Sequence, residues 1–350
     1  MSDHPHTHIE IATSSIVKCI LIILLFVLLY VLKDVVIIFL FALILASAIS
    51  PFANWLDERG FPRLLGVMLL YLTIFGLFVF VFVLIIPYVS EELGQLTQTL
   101  PNVIERLSSS LESVQKGSPQ YLDFISELQN ILESLTNYLQ QSAQSIVSVI
   151  ASIFGGIFSF IAIIVISFYL AVTRKGIEGF LASVVPDKYE GYVLNLWKRT
   201  EVKVGRWLQG QLLLGLIVGL VVYVGLSLMD IKFALVIAVI AMILEIVPIV
   251  GPVIAAIPAI FFAALQSPSL ALWVLIFYVV VQQLENHILV PLVFGKTIGV
   301  NPVVVLIALL IGQQLAGIPG MILSVPIATI IVEMLDDLAK HKEELKKSSA

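Results

Sequence analysis

Charged residues are sparse enough along the chain to mark off its apolar segments. Uncharged runs cover 35–56, 64–90, 134–173, 207–229, 246–284 and 297–332, with lengths of 22, 27, 40, 23, 39 and 36 residues. A helix rising 1.5 Å per residue needs about 20 apolar residues to cross ~30 Å of hydrocarbon. The runs of 22 to 27 residues therefore predict single membrane spans. The run of 40 opens with Ser, Gln and Asn, so only its later part need span. The runs of 39 and 36 exceed one straight crossing and must fold back or break. An earlier apolar stretch, 16–50, is interrupted by Lys33 and Asp34, which predicts a helical hairpin turning at that pair. The ten-residue alternation of transmembrane β-strands does not occur.

One segment has a different period. Leu93, Leu96, Leu100, Val103, Leu107, Leu111 and Val114 recur every three or four residues. Gly117, Ser118 and Pro119 break the pattern, and it resumes at Leu122, Ile125, Leu128, Leu132, Leu135 and Leu139. This predicts two amphipathic helices joined by a turn, packed on each other or against another subunit or partner.

Composition agrees with the pattern. Of 350 residues, 59% are hydrophobic and 12% charged, and mean hydropathy is +1.07. An ordinary soluble domain is about a quarter charged, so a soluble reading is excluded. A disulfide scaffold is excluded because Cys19 is the only cysteine. A net charge of −5 gives no nucleic-acid footprint. The expected fold class is an all-α, polytopic membrane protein with about eight membrane segments, in contact with lipid.

Charge asymmetry orients it. Segment 174–206 holds seven Lys/Arg and four acids, whereas 91–133 holds seven acids and two bases. The positive-inside rule makes the first cytoplasmic and the second external, with both termini cytoplasmic. The chain then divides into a cytoplasmic tail (1–14), N-terminal membrane helices (15–88), extracytoplasmic amphipathic helices (89–145), a membrane helix (146–173), cytoplasmic interfacial helices (174–208), a core transport region (209–335) and a cytoplasmic tail (336–350).

The core region carries the helix breakers. Segment 233–265 holds Glu245, Pro248, Gly251, Pro252 and Pro258, and 302–335 holds Gln313, Gln314, Gly317, Pro319, Gly320 and Pro326. At an offset of 68 positions, Glu245 meets Gln313, Pro252 meets Gly320 and Pro258 meets Pro326. Each half-segment is about 16 residues, ~24 Å, slightly short of a span. Both read as hairpins with a Pro/Gly turn at depth, or as ordinary spans kinked by Pro and Gly. Span parity makes the hairpins enter from opposite faces, an inverted repeat of the kind secondary transporters use.

Polar groups in apolar sequence supply the candidate chemistry. A charge at the bilayer centre costs at least about 2.5–3.5 kcal/mol, so intramembrane carboxyls mark ion or substrate paths. Glu245 and Glu285 are such residues. Gln282, Glu285 and Asn286 fall on one helical face, with Gln283 adjacent. Gln211 opens one span and Gln313 lies in the second broken segment, so all are candidates for one polar cavity. The alternative role is interhelical glue. His4, His6 and His8 read as a flexible tail rather than a metal site, and no metal or cofactor is expected. Gly215 and Gly219 form a GxxxG, read as close helix packing more than as a defined dimer. Gly295-Lys296-Thr297 ends like a phosphate loop, but Val290 stands where that loop needs glycine. There is no His-Glu-x-x-His and no Gly-x-Ser-x-Gly, so no enzyme is expected.

Motifs in the C-terminal half run Trp207-Leu-Gln-Gly210-Gln211, then Glu245-Ile-Val-Pro248-Ile-Val-Gly251-Pro252 with Pro258. They continue with Gln283-Leu-Glu285-Asn286, Pro291, Gly295-Lys296, Asn301-Pro302, Gly317-Ile-Pro-Gly320 and Val325-Pro326. In these the chain resembles the bacterial autoinducer-2 exporter family of predicted permeases. It differs where many relatives have asparagine in place of Glu245 and histidine in place of Asn301. The resemblance implies a bacterial inner-membrane secondary transporter and a homo-oligomer. Some members are assigned to autoinducer-2 export, and others resemble cation/proton antiporters. Three function classes follow: an exporter of a small polar solute, a Na⁺ or K⁺/H⁺ antiporter, and a membrane scaffold.

Overall fold

The computed structural model describes residues 30–77, 156–173, 176–295 and 301–348, with isolated positions at 20–28 and 79–95. The histidine tail, Cys19, nearly all of the amphipathic segment 89–145, and Lys296 with Thr297 lie outside these residues. Among the described residues every regular element is helical. They are α1 (Lys33–Glu58), α2 (Arg63–Leu77), α3 (Ile157–Val172), α4 (Gly176–Val184), α5 (Asp187–Leu228), α6 (Ala234–Leu244), α7 (Val250–Gln266) and α8 (Pro268–Leu284). α8 runs through a π-helical turn, Glu285–Leu289, into α9 (Val290–Phe294), and α10 is Pro302–Ser348.

Four helical stretches among these are long and apolar enough to cross a membrane: Lys33–Glu58, Asp187–Leu228, Pro268–Phe294 and Pro302–Lys340, the last of them broken at Ala316–Gly317. A fifth forms if Phe158–Val172 and Ile177–Val184, bent by 81°, count as one. Leu212, Leu216 and Leu220 form an outward stripe on α5, each about 60% exposed. A lipid-facing helix leaves such a stripe open because hydrocarbon, not protein, covers it.

The expected reversal at Lys33–Asp34 is not seen. Helical hydrogen bonds from Leu32 to the Leu28 carbonyl (2.9 Å) and from Val36 to the Leu32 carbonyl (3.0 Å) carry the backbone into α1. The irregularity is one residue, Leu32 at φ −92° and ψ 15°. A Lys–Asp pair at a helix start is tolerated because Asp34 lies in the first turn, where the helix dipole favours an anion.

The core lies between α5, α6, α7 and α8. Val218, Val222 and Leu226 of α5 meet Ile237, Ala238 and Ala241 of α6, Ala255, Ala259 and Ala263 of α7, and Val274, Tyr278 and Val281 of α8. The three α7 alanines are spaced by four, so they form one small-residue stripe that admits close neighbours. The glycines of α5 act likewise. A Cβ at Gly215 would press on the Met242 carbonyl, one at Gly219 on the Met242 side chain, and one at Gly205 on the Ser47 carbonyl of α1. Gly215 and Gly219 are therefore occupied in packing α5 on α6 within the chain. A second cluster joins Ile44 of α1, Val204 and Trp207 of α5, Val247, and Leu309, Ile322, Leu323 and Val325 of α10.

Both breaker-rich segments are bent back. Phe233, just before α6, stacks edge-on against Phe262 near the end of α7, with centroids 5.0 Å apart, so α6 and α7 run side by side in opposite directions. α10 is interrupted by Ala316 (φ −147°, ψ 19°) and Gly317 (φ 60°, ψ −139°). A Cβ on Gly312 would collide with Ser324 Oγ and the Gly320 carbonyl, and one on Gly320 with the Gly312 carbonyl. The arms 302–315 and 318–348 therefore meet backbone to backbone. The left-handed residues of the two breaks, Ile249 (φ 68°) and Gly317 (φ 60°), are 68 positions apart, the offset at which the sequence motifs align.

Candidate functional site

Glu245 closes α6 at the first break. Its amide still donates to the Ala241 carbonyl (3.0 Å), but the backbone leaves the helix at Ile249. A helical carbonyl normally accepts from the amide four residues on, and at a break that partner is lost. The Gln211 side-chain amide of α5 donates to the Glu245 carbonyl instead. Gln211 is 3% exposed and Glu245 1% exposed, so this replacement takes place inside the protein.

Glu285 approaches from the other side. It opens the π-helical turn that follows α8 and is 4% exposed. Its carboxyl faces that of Glu245, with Gln282 one turn back on the same helix. Each carboxyl keeps one oxygen, Oε2, buried without a partner. An ionised carboxylate only accepts, so a hydrogen bond between two carboxyls requires a proton on the pair. An orphaned buried acceptor costs about 1–3 kcal/mol. Two carboxyls so buried and so close can share a proton between two chain segments, and each keeps one further oxygen free.

Gln211, Glu245, Glu285 and Gln282 come together; the other candidate amides do not join them. Gln283 and Asn286 are exposed, as are Gln313 and Gln314 of α10. Asn286 follows Glu285 directly in the π turn and lies exposed. Among the breakers, Pro248 lies in the first break and Gly251 packs its Cα against the Leu244 carbonyl. Pro252, in the first turn of α7, lacks an N–H where none is needed, and Pro258 lies inside α7. Pro319 and Pro326 lie in the second arm of α10.

One cluster has no counterpart in the sequence reading. Arg199 of α5 bonds Asp337 and Glu333 of α10, and Lys203 bonds the same Glu333. Its signal was present: two bases spaced by four on one helix and two acids spaced by four on another. Asp337 lies beyond the apolar run of α10, and its hydrogen bond with Arg199 holds the carboxyl below the ordinary range. The cluster ties the charged end of α5 to the second broken segment. Gln211 lies eight residues further along α5, about 12 Å.

Among the described residues no cluster of metal-ligating side chains occurs. Residues 19–340 match the profile of the AI-2E family transporters, and the chain belongs to that family. YueF of Bacillus subtilis, provisionally named a transport protein, is 29% identical over 83% of this chain and 81% of its own length. YrrI of the same organism, named likewise, is 24% identical over 90% and 89%. The AI-2 transport protein TqsA of Escherichia coli is 25% identical over 87% of both chains.

Proposed function

We propose that this transporter is proton-coupled and moves a small polar solute across a bacterial inner membrane, with Glu245 and Glu285 as its coupling centre. The observation that carries the reading is the pairing of two buried carboxyls, each with an unpartnered oxygen. Each carboxyl sits at an irregularity in its own helix, one at the α6 break and one at the π turn. Gain or loss of the shared proton changes what holds these two irregular segments together. That is the requirement for coupling a proton to alternating access. The breaks at 245–249 and 316–317 are the bending points, and the two hairpins reach membrane depth from opposite faces. The basic segment 174–206 faces the cytoplasm, as do both termini.

The two free oxygens support a second reading, cation/proton antiport. A monovalent cation replacing the proton would find carboxylate oxygens and the Gln282 amide oxygen as ligands, all of the hard oxygen type.

Proteoliposomes carrying an internal pH dye test the proposal. An imposed pH gradient should collapse faster on addition of the cargo, with Na⁺, K⁺ and Li⁺ and small neutral polyols tried in turn. Solute flux that ignores the pH gradient would refute proton coupling while leaving transport intact.

A further inference from the structure

We propose that the cleft between α5 and α9 is a binding site for a small anionic group, a carboxylate or a phosphate, held by Arg206. The site goes beyond the coupling reading and does not depend on it. The cleft is half-open, offers about 220 Å³ and is lined by Arg206, Gln209, Gly210, Leu213, Val293 and Phe294. The four α5 residues follow the spacing of one helical face. Gly210 lets the Phe294 ring approach that face closely, since a Cβ there would collide with the ring. Leu213, Val293 and Phe294 make an apolar wall, and Arg206 with Gln209 makes the polar end.

The donors decide the charge of the occupant. The Gln209 amide nitrogen is already given to the Ala48 carbonyl. Arg199 and Lys203 of the same helix are paired with acids of α10, and Lys198 with Glu178. Arg206 has no acidic partner among the described residues, and its side chain is exposed at the cleft. A guanidinium presents a planar fork of N–H donors that fits a carboxylate or phosphate with two parallel bonds. The volume equals that of about seven waters at ~30 Å³ each, which suits a short organic acid or a single phosphate group. Arg206 stands where the apolar run of α5 begins, five residues or about 7.5 Å from Gln211. At that depth both a free solute anion and the phosphate of an anionic lipid can reach it.

Binding is read on the full-length protein in neutral detergent. Calorimetric titration with butyrate and with inorganic phosphate probes the free anions. Native mass spectrometry with phosphatidylglycerol probes the lipid. At least one of these should bind, Arg206→Gln should weaken it tenfold or more, and Arg206→Lys should retain part of it. Leu213→Trp, which fills the apolar side from a half-exposed position, should weaken it as well. Free-anion binding lost in Arg206→Gln supports the site with a solute as occupant. Lipid binding lost in that variant, with no response to the free anions, supports it with a lipid phosphate. Equal binding by wild type and Arg206→Gln, or no binding of any probe to wild type, overturns the proposal. The readout is affinity rather than flux, so a failure of proton coupling leaves this result unchanged.

Discussion

Gln211, Glu245 and Glu285 form one unit, and substitution should separate what each contributes. Gln211→Leu removes the donor from the Glu245 carbonyl and leaves that acceptor buried. The expected cost is about 1–3 kcal/mol, measurable as a lower thermal midpoint in detergent. Glu285→Gln keeps size and hydrogen bonding but removes titration, so it should remain folded. Both carboxyls were legible in the sequence because charge inside an apolar run is rare enough to stand out. Their contact was not, since nothing in the spacing of 245 and 285 says which faces meet. The shared placement of Gln313 with them was misleading: charge and polarity mark a residue as unusual, but only packing decides where it points. In the sequence Arg206 is only one base among seven in segment 174–206, because a cleft beside it depends on how the glycine at 210 receives Phe294.

Helix breaks set the element scale. Gly317 holds a backbone conformation that only glycine adopts without strain, and Gly312 and Gly320 meet across the turn. Gly317→Ala should cost about 1–3 kcal/mol in thermal unfolding, more than the same change at Gly76, which is helical and open. Proline and glycine content marked both breaker-rich segments without fixing the residue at which either one breaks. The first break centres on Ile249, a β-branched residue at positive φ, which no propensity would select. The π turn at Glu285 was equally hidden, because it changes helical rotation without a breaker in the sequence. The tie between α5 and α10 makes a pH prediction. The folded Asp337 carboxyl titrates below its unfolded value, so its contribution is present above the ordinary carboxylate range and lost as pH falls through the folded value. Asp337→Asn should lower the thermal midpoint at pH 7, and the difference from wild type should shrink and vanish as the pH falls through the folded carboxyl's lowered value.

At the scale of the molecule, two broken segments meet a long helix whose far end is tied to one of them. α5 touches the Glu245 backbone through Gln211, α6 through Gly215 and Gly219, and α10 through Arg199 and Lys203. The class of architecture was legible from sparse charge alone, since hydrocarbon leaves few alternatives to helices. The count of spans was less so, because runs of 36 to 40 residues fix total apolar length but not where the chain turns. Proton coupling through one carboxyl pair is the central proposal, and transport rate against pH tests it most directly. It should be measured in proteoliposomes for wild type, Glu245→Gln and Glu285→Gln at matched protein density. The account predicts a pH-dependent rate for wild type, and for both variants a rate that is abolished or no longer follows pH. Wild-type rates with unchanged pH dependence in both variants would contradict it and reduce the pair to a structural contact between α6 and the α8–α9 turn.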